Sequence, residues 1–179
     1  MSLKDLTAEK HQLAETTSFM KAVFNGTMPM DVWVDYTFQK SFWYSAIEDS
    51  ATLAGLLVHM PGIERAALIK SDYFKMTVND DRIRVQTPTT RAYSQYIALL
   101  TDPRKIMAHL YTWHMGDIFG GQMIKKIIDA PHTHLDFENS KELIGTVRLL
   151  LSDDMADEAN IAFDWAIKIL REYDNEFNI

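Results

Sequence analysis

The chain contains no cysteine. Disulfides, thiolate nucleophiles and cysteine-held metal or iron–sulfur centres are therefore excluded. That composition suits a reducing compartment, and a cytoplasmic location is the expectation. No apolar run approaches the roughly 20 residues that cross a bilayer, and the first residues lack the apolar stretch of a secretory signal. No membrane partner is expected. A basic surplus is missing as well. The formal charge is −7, which argues against nucleic acid as a partner. Internal repeats, linkers and low-complexity segments are not found. What remains is an ordinary globular composition, 47% hydrophobic and 24% charged, in a chain long enough for one core. A single domain over residues 1–179 is expected.

The apolar spacing is helical nearly throughout. Ser2 can cap a helix running to about Phe24 and ended by Asn25-Gly26. Pro29 opens a second helix, from about Met30 to Met60, closed by Pro61-Gly62. Its stripe is Trp33, Tyr36, Phe38, Phe42, Trp43, Ile47, Leu53 and Leu57. A third spans about Ile63 to Phe74, with Leu68, Tyr73 and Phe74 read as core. Arg82 to Val85 alternate briefly, a run too short to stand without a partner strand. Further helices follow Pro88, Asp102-Pro103 and Ser140. The last opens near Ser152 and buries Ala159, Ala162, Phe163, Ala166, Ile167, Leu170 and Tyr173. The fold class is all-α, in one compact bundle.

The stretch His109–Gln122, HLYTWHMGDIFGGQ, stands out. Asp102 and Pro103 start a helix well, and apolar groups then recur at helical spacing. Into that pattern fall Gly116, Gly120 and Gly121, each costing about 1 kcal/mol relative to alanine. A kink there is expected. The pair Gly120-Gly121 also suits a simple helix end. The alternative is close approach, since a backbone without Cβ atoms can lie against a flat ligand. Asp117, between these glycines, could cap a second helical half. Near the N-terminus, His11 and Glu15 are four apart on one helix face. An imidazole can bind a metal through one nitrogen while the other N–H meets a carboxylate. An ordinary solvated pair satisfies the same spacing.

Ala108, His109, Tyr111, Thr112, Gly116, Asp117, Gly120, Gly121 and Gln122 together resemble the distal-helix signature of heme oxygenases, the enzymes that open heme to biliverdin. Leu3, Lys4, Thr7, His11, Ala14, Glu15, Phe19 and Met20 resemble that family's proximal helix, with Ser18 in place of an acid. The two matches come in the family's order, about a hundred residues apart. Glu158, Ala159, Ala162 and Phe163 resemble a third segment on the last helix. The departures are Trp113-His114-Met115, where the family has Arg-Tyr-Leu, and Phe119, where it has Ser.

The resemblance implies a heme-oxygenase-like bundle with heme b, both cofactor and substrate, between the first helix and the glycine-kinked distal helix. His11 would ligate iron, with Glu15 beside it. The backbone at Gly116, Gly120 and Gly121 would lie on the other face. Asp117 is the expected catalytic group, holding waters that relay a proton on the distal side. Lys4 and Tyr111 carry over as propionate partners, and Phe163 as a heme contact or a core aromatic. Arg148 and Lys141, seven apart on the penultimate helix, are candidates for the second propionate or plain surface charge. O2 and electrons from reduced ferredoxin, or a similar small acidic reductase, would complete the reaction. Arg104-Lys105 and Lys125-Lys126 could dock such a donor. A bilin reductase could take the product onward.

Two other readings stay open at this level. One is a heme carrier or sensor on the same fold. The other is a thiaminase-like or di-iron protein, although a di-iron site needs paired Glu-x-x-His motifs that are not present. His114 raises the question of a second axial imidazole. His132 and His134 form a His-x-His pair without further ligands. His59, at a helix end, needs no role beyond its position there.

Overall fold

The computed structural model describes residues 2–176, and every regular element among them is helical. In order these are α1 Leu3–Glu15, α2 Ser18–Phe24, α3 Met30–Leu53, α4 Ala66–Met76, α5 Pro88–Ala98, α6 Pro103–Leu110, α7 Gly116–Ile127, α8 Ser140–Leu150 and α9 Ala156–Glu176. Short 3-10 turns lie at Leu57–His59, Thr133–Leu135 and Asp153–Met155. Between α6 and α7 the chain passes through a π-helical turn, Tyr111–Met115. Residues 82–85 form no strand.

Helix starts follow local chemistry. Ser2 and Asp5 form a reciprocal capping box on α1. The Thr87 hydroxyl caps α5 ahead of Pro88, and Asp102 caps α6 ahead of Pro103, its carboxylate accepting the Arg104 N–H at 2.9 Å. The expected first helix is divided in two. The Thr16 and Thr17 hydroxyls donate to the carbonyls of Leu13 and Ala14 at 3.0 and 2.9 Å. Thr17 also accepts the Met20 N–H. Side chains that bind backbone in this way compete with helix continuation. The chain turns there and buries Phe19, Ala22 and Val23.

The second helix stops at Leu53 rather than near Met60. Gly55 takes a left-handed conformation, φ +70°, which ends helices readily. Leu53, expected in the apolar stripe, is 91% exposed, and Phe74, expected in the core, is exposed as well. α3 is the central rod, packed by α4, α5 and α6. α9 crosses α1, α2, α5 and α6. The seven residues read as its inner face are all buried. Burying each large apolar side chain contributes about 1.5–3 kcal/mol. This arrangement seats α1 on α9, whereas α7 is seated on α2 and on the Thr133–Leu135 turn.

Candidate active site

The buried stripe of α3 carries Lys40, Tyr44 and Glu48, each one helical turn from the next. Their side chains reach the π-helical turn or the first turn of α7. The Lys40 ammonium lies 2.8 Å from both carboxylate oxygens of Asp117. The Tyr44 hydroxyl donates to Asp117 Oδ2 at 2.6 Å and also lies 3.1 Å from the Trp113 carbonyl. Glu48 Oε1 meets His114 Nε2 at 3.0 Å and accepts the Arg65 N–H at 2.6 Å. The Lys40 side chain is only 6% exposed.

The π-turn allows this crowding. Trp113 and His114 are neighbours in the chain, yet both are buried. Trp113 Nε1 donates to the Tyr93 hydroxyl on α5 at 2.7 Å, while His114 turns to Glu48 on α3. A regular helix would aim two successive side chains about 100° apart; a wider turn lets both point inward. Tyr93 continues to His109 Nδ1 at 2.8 Å, and His109 Nε2 to Glu158 at 3.1 Å. The Tyr96 hydroxyl and Lys105 complete the Glu158 shell.

Charge states follow from these contacts. Burial works to raise the Asp117 pKa, but the Lys40 and His134 charges and the bonds from Lys40 and Tyr44 outweigh it, leaving the carboxyl below its usual value. Burial and the neighbouring Asp117 push the Tyr44 phenol well up. The His109 bond, with Tyr96 and Lys105, outweighs burial and brings Glu158 down to about 2. Burial lowers the His109 and His134 imidazoles.

The glycines do not break the helix. α7 is continuous from Gly116, and none of its three glycines has positive φ. The irregular turn comes one turn earlier, where bulky side chains compete for the interior. Asp117 caps nothing: no side-chain cap is found at the start of α7. The glycines divide by face. Gly121 is turned inward, where an added Cβ would meet Leu135 at 3.1 Å. At Gly116 and Gly120 an added Cβ would meet nothing within 4 Å. They share their face with Phe119 and Met123, which are 60% and 52% exposed. This is an uncovered apolar stripe with two bare backbone positions.

His11 lies on α1 with its side chain 56% exposed and Nδ1 3.6 Å from Glu15. Its ring meets Phe163 of α9 edge-on, with centroids 5.7 Å apart. The chain matches the heme oxygenase family over residues 1–145. The chain belongs to the heme oxygenase family. It is 27% identical to a heme oxygenase of Rhodella violacea, the match covering 99% of this chain and 87% of that one. It is also 27% identical to heme oxygenase 2 of Mus musculus, over 96% of this chain and 64% of that longer one. Its fold resembles heme oxygenase-1 of Synechocystis sp. PCC6803, solved in complex with heme. That match has a TM-score of 0.85 and 24% identity, and covers 98% of this chain and 91% of that chain.

The residues that carry the family signature divide into distinct groups. His11, Glu15 and Phe163 are brought together on α1 and α9. Asp117 sits with α3, on the inward side of α7, and Gly121 with it. Gly116 and Gly120 are on the open side. Tyr111 is half-buried against the core. Lys4, Lys141 and Arg148 are exposed. His109 is a structural bridge, bonded at both nitrogens. His114 points to Glu48, away from the open face. His132 bonds the Ile128 carbonyl and His134 bonds Asp72; no metal-holding cluster occurs among the described residues.

Lys40, Tyr44 and Glu48 are buried neighbours of Asp117 and His114 that the sequence pattern did not single out. A signal was present. A lysine and a glutamate lie at i and i+8 on a face otherwise occupied by Tyr36, Tyr44 and Ile47. Charges on such a stripe are rarely buried unless paired.

Proposed function

We propose that this chain cleaves heme to biliverdin, carbon monoxide and ferrous iron, using O2 and electrons from a reduced ferredoxin or a similar small acidic donor. Heme, as the substrate, supplies the iron that binds O2 and the macrocycle that is opened. His11 would hold the iron, with Glu15 fixing the orientation of its imidazole through Nδ1. Phe163 would support the ring edge. Gly116 and Gly120 would admit the flat macrocycle against α7, flanked by Phe119 and Met123. Lys4 and Tyr111, with Arg148 or Lys141, would meet the propionates.

Asp117 would act from behind the glycine face. Its carboxylate is too enclosed to serve as a metal ligand, but it can anchor waters that deliver a proton at the distal side. The one observation that carries this reading is the open stripe on α7. Two large apolar side chains and two Cβ-free positions stand uncovered on a helix whose other face is fully engaged. That surface fits a flat, largely apolar ligand.

The product would suit a bilin reductase, and the cytoplasm would suit the absence of cysteine. No described helix is long and apolar enough to cross a membrane. The test is spectroscopic. Hemin added to the protein should give a Soret band. Reduced ferredoxin and O2 should then replace it with the broad red band of biliverdin. Hemin that stays intact under those conditions would mark a carrier instead.

A further inference from the structure

The Lys40–Asp117 pair invites a question of its own. A buried ion pair is a poor device for stability, because apolar residues of similar volume hold a core as well or better. Here the lysine is buried, its ammonium 5.0 Å from the centroid of the Tyr44 ring. Its ammonium touches both oxygens of one carboxylate. Tyr44 takes another acceptor position on the same group. A carboxylate offers about four acceptor positions, so roughly one remains for a water.

We propose that Lys40 is a positioning residue that keeps Asp117 ionised and aimed, so that Asp117 anchors water as a permanent anion and does not itself shuttle the proton. This inference rests on the proposed role of Asp117 in heme cleavage. The groups facing Asp117 are Tyr36, Lys40 and Tyr44 from α3, Arg65 ahead of α4, and His134 from the Thr133–Leu135 turn. Of these, Lys40 alone is both a fixed cation and in direct contact. Without it, burial would dominate and favour the neutral acid.

The test begins on ligand-free protein with 13C-labelled aspartate carboxyls. The Asp117 signal is assigned by its loss in Asp117→Asn. In the parent protein it should remain that of an anion down through the ordinary carboxylate range. In Lys40→Met its midpoint should rise by roughly two pH units or more. Lys40→Gln, which keeps a donor but no charge, should shift it in the same direction and serves if Lys40→Met does not fold. An unmoved midpoint in a folded variant overturns the proposal.

Turnover supplies an independent arm. Hemin cleavage by Lys40→Met should acquire an acid limb at the raised midpoint, recovering as pH rises. Adding Lys40→Met to Asp117→Asn should cost nothing further, because Lys40 acts through that carboxylate. A pH profile parallel to the parent, or additive losses, would overturn it. If the parent protein fails to cleave hemin, the functional reading fails while the carboxyl titration still decides the electrostatics.

Discussion

α1 and α7 carry the two halves of the proposed site, and they are built on opposite terms. The proximal group, His11, is half in solvent, with one loose carboxylate neighbour and one aromatic edge. The distal group, Asp117, is enclosed, with a lysine on both oxygens and a tyrosine on one. Folding leaves the imidazole available and locks the carboxylate. A side chain that must bond an incoming metal benefits from being unsatisfied beforehand. One that must order water beside a reaction benefits from fixed geometry and fixed charge. The same division runs through α7, whose inner face is committed to α3 and Leu135 while its outer face is left bare.

The largest effect should come from the locked side. Asp117→Ala should retain the Soret band of added hemin yet lower biliverdin formation by roughly 10²–10⁴-fold, the usual range when positioned proton delivery is lost. It should also weaken the fold by about 3–5 kcal/mol, since Lys40 would be left buried and unpaired. Denaturant melts of ligand-free protein measure the second effect, and single-turnover absorption the first. His11→Ala should do the reverse. Its ligand-free stability should change by no more than about 0.5 kcal/mol, as for other exposed positions. Its hemin spectrum should lose the signature of an axial imidazole. Equal stability losses in the two variants would erase the contrast.

Acid should separate the halves next. Asp117 and Glu158 have lowered pKa values in the fold, Glu158 near 2. The unfolded chain therefore takes up their protons first, and their stabilisation, complete above the ordinary carboxylate value, fades as pH falls toward the folded one. His109 and His134 are also lowered, by burial. The unfolded chain gains those protons below about pH 6.5 while the folded chain does not. All four terms share one sign, so the melting temperature of the ligand-free protein should fall steadily from pH 7 to pH 4. Glu158→Gln should flatten the lower part of that curve.

How much of this could be read from residues alone varies with the physics involved. The apolar stripe of α9 from Ala159 to Tyr173 follows from period alone, because its seven residues recur at helical spacing. The family signature on α1 and α7 was readable because it includes polar and glycine positions that a generic helix does not need. The π-turn at Tyr111–Met115 has no period of its own. Its cause is tertiary: Trp113 and His114 find partners on different helices. Lys40 was hidden for a similar reason. A lysine in a helix ordinarily reads as solvated, and only the fold brings Asp117 to it across 77 positions of sequence. The divided first helix turned on threonine hydroxyls, which favour a cap over continuation once Phe19 and Val23 have a core to enter.

The smallest effect should come from single methyl groups on α7, and it tests the division of faces most directly. Gly120→Ala adds a Cβ that meets nothing within 4 Å. Relief of the glycine penalty should stabilise the ligand-free protein by up to about 1 kcal/mol. Hemin affinity should nevertheless fall, because the methyl group stands where the macrocycle would lie. Gly121→Ala gains the same helical preference but presses on two atoms of Leu135, at 3.1 and 3.3 Å. One of those atoms is the Leu135 Cβ, which cannot swing aside as a side-chain tip would. The crowding, of order 1–3 kcal/mol, should cancel or exceed the gain, and hemin affinity should hardly change. Gly120→Ala should therefore melt higher than Gly121→Ala while binding hemin more weakly. If both lose hemin binding alike, the ligand does not distinguish the two faces, and the open stripe is not its seat.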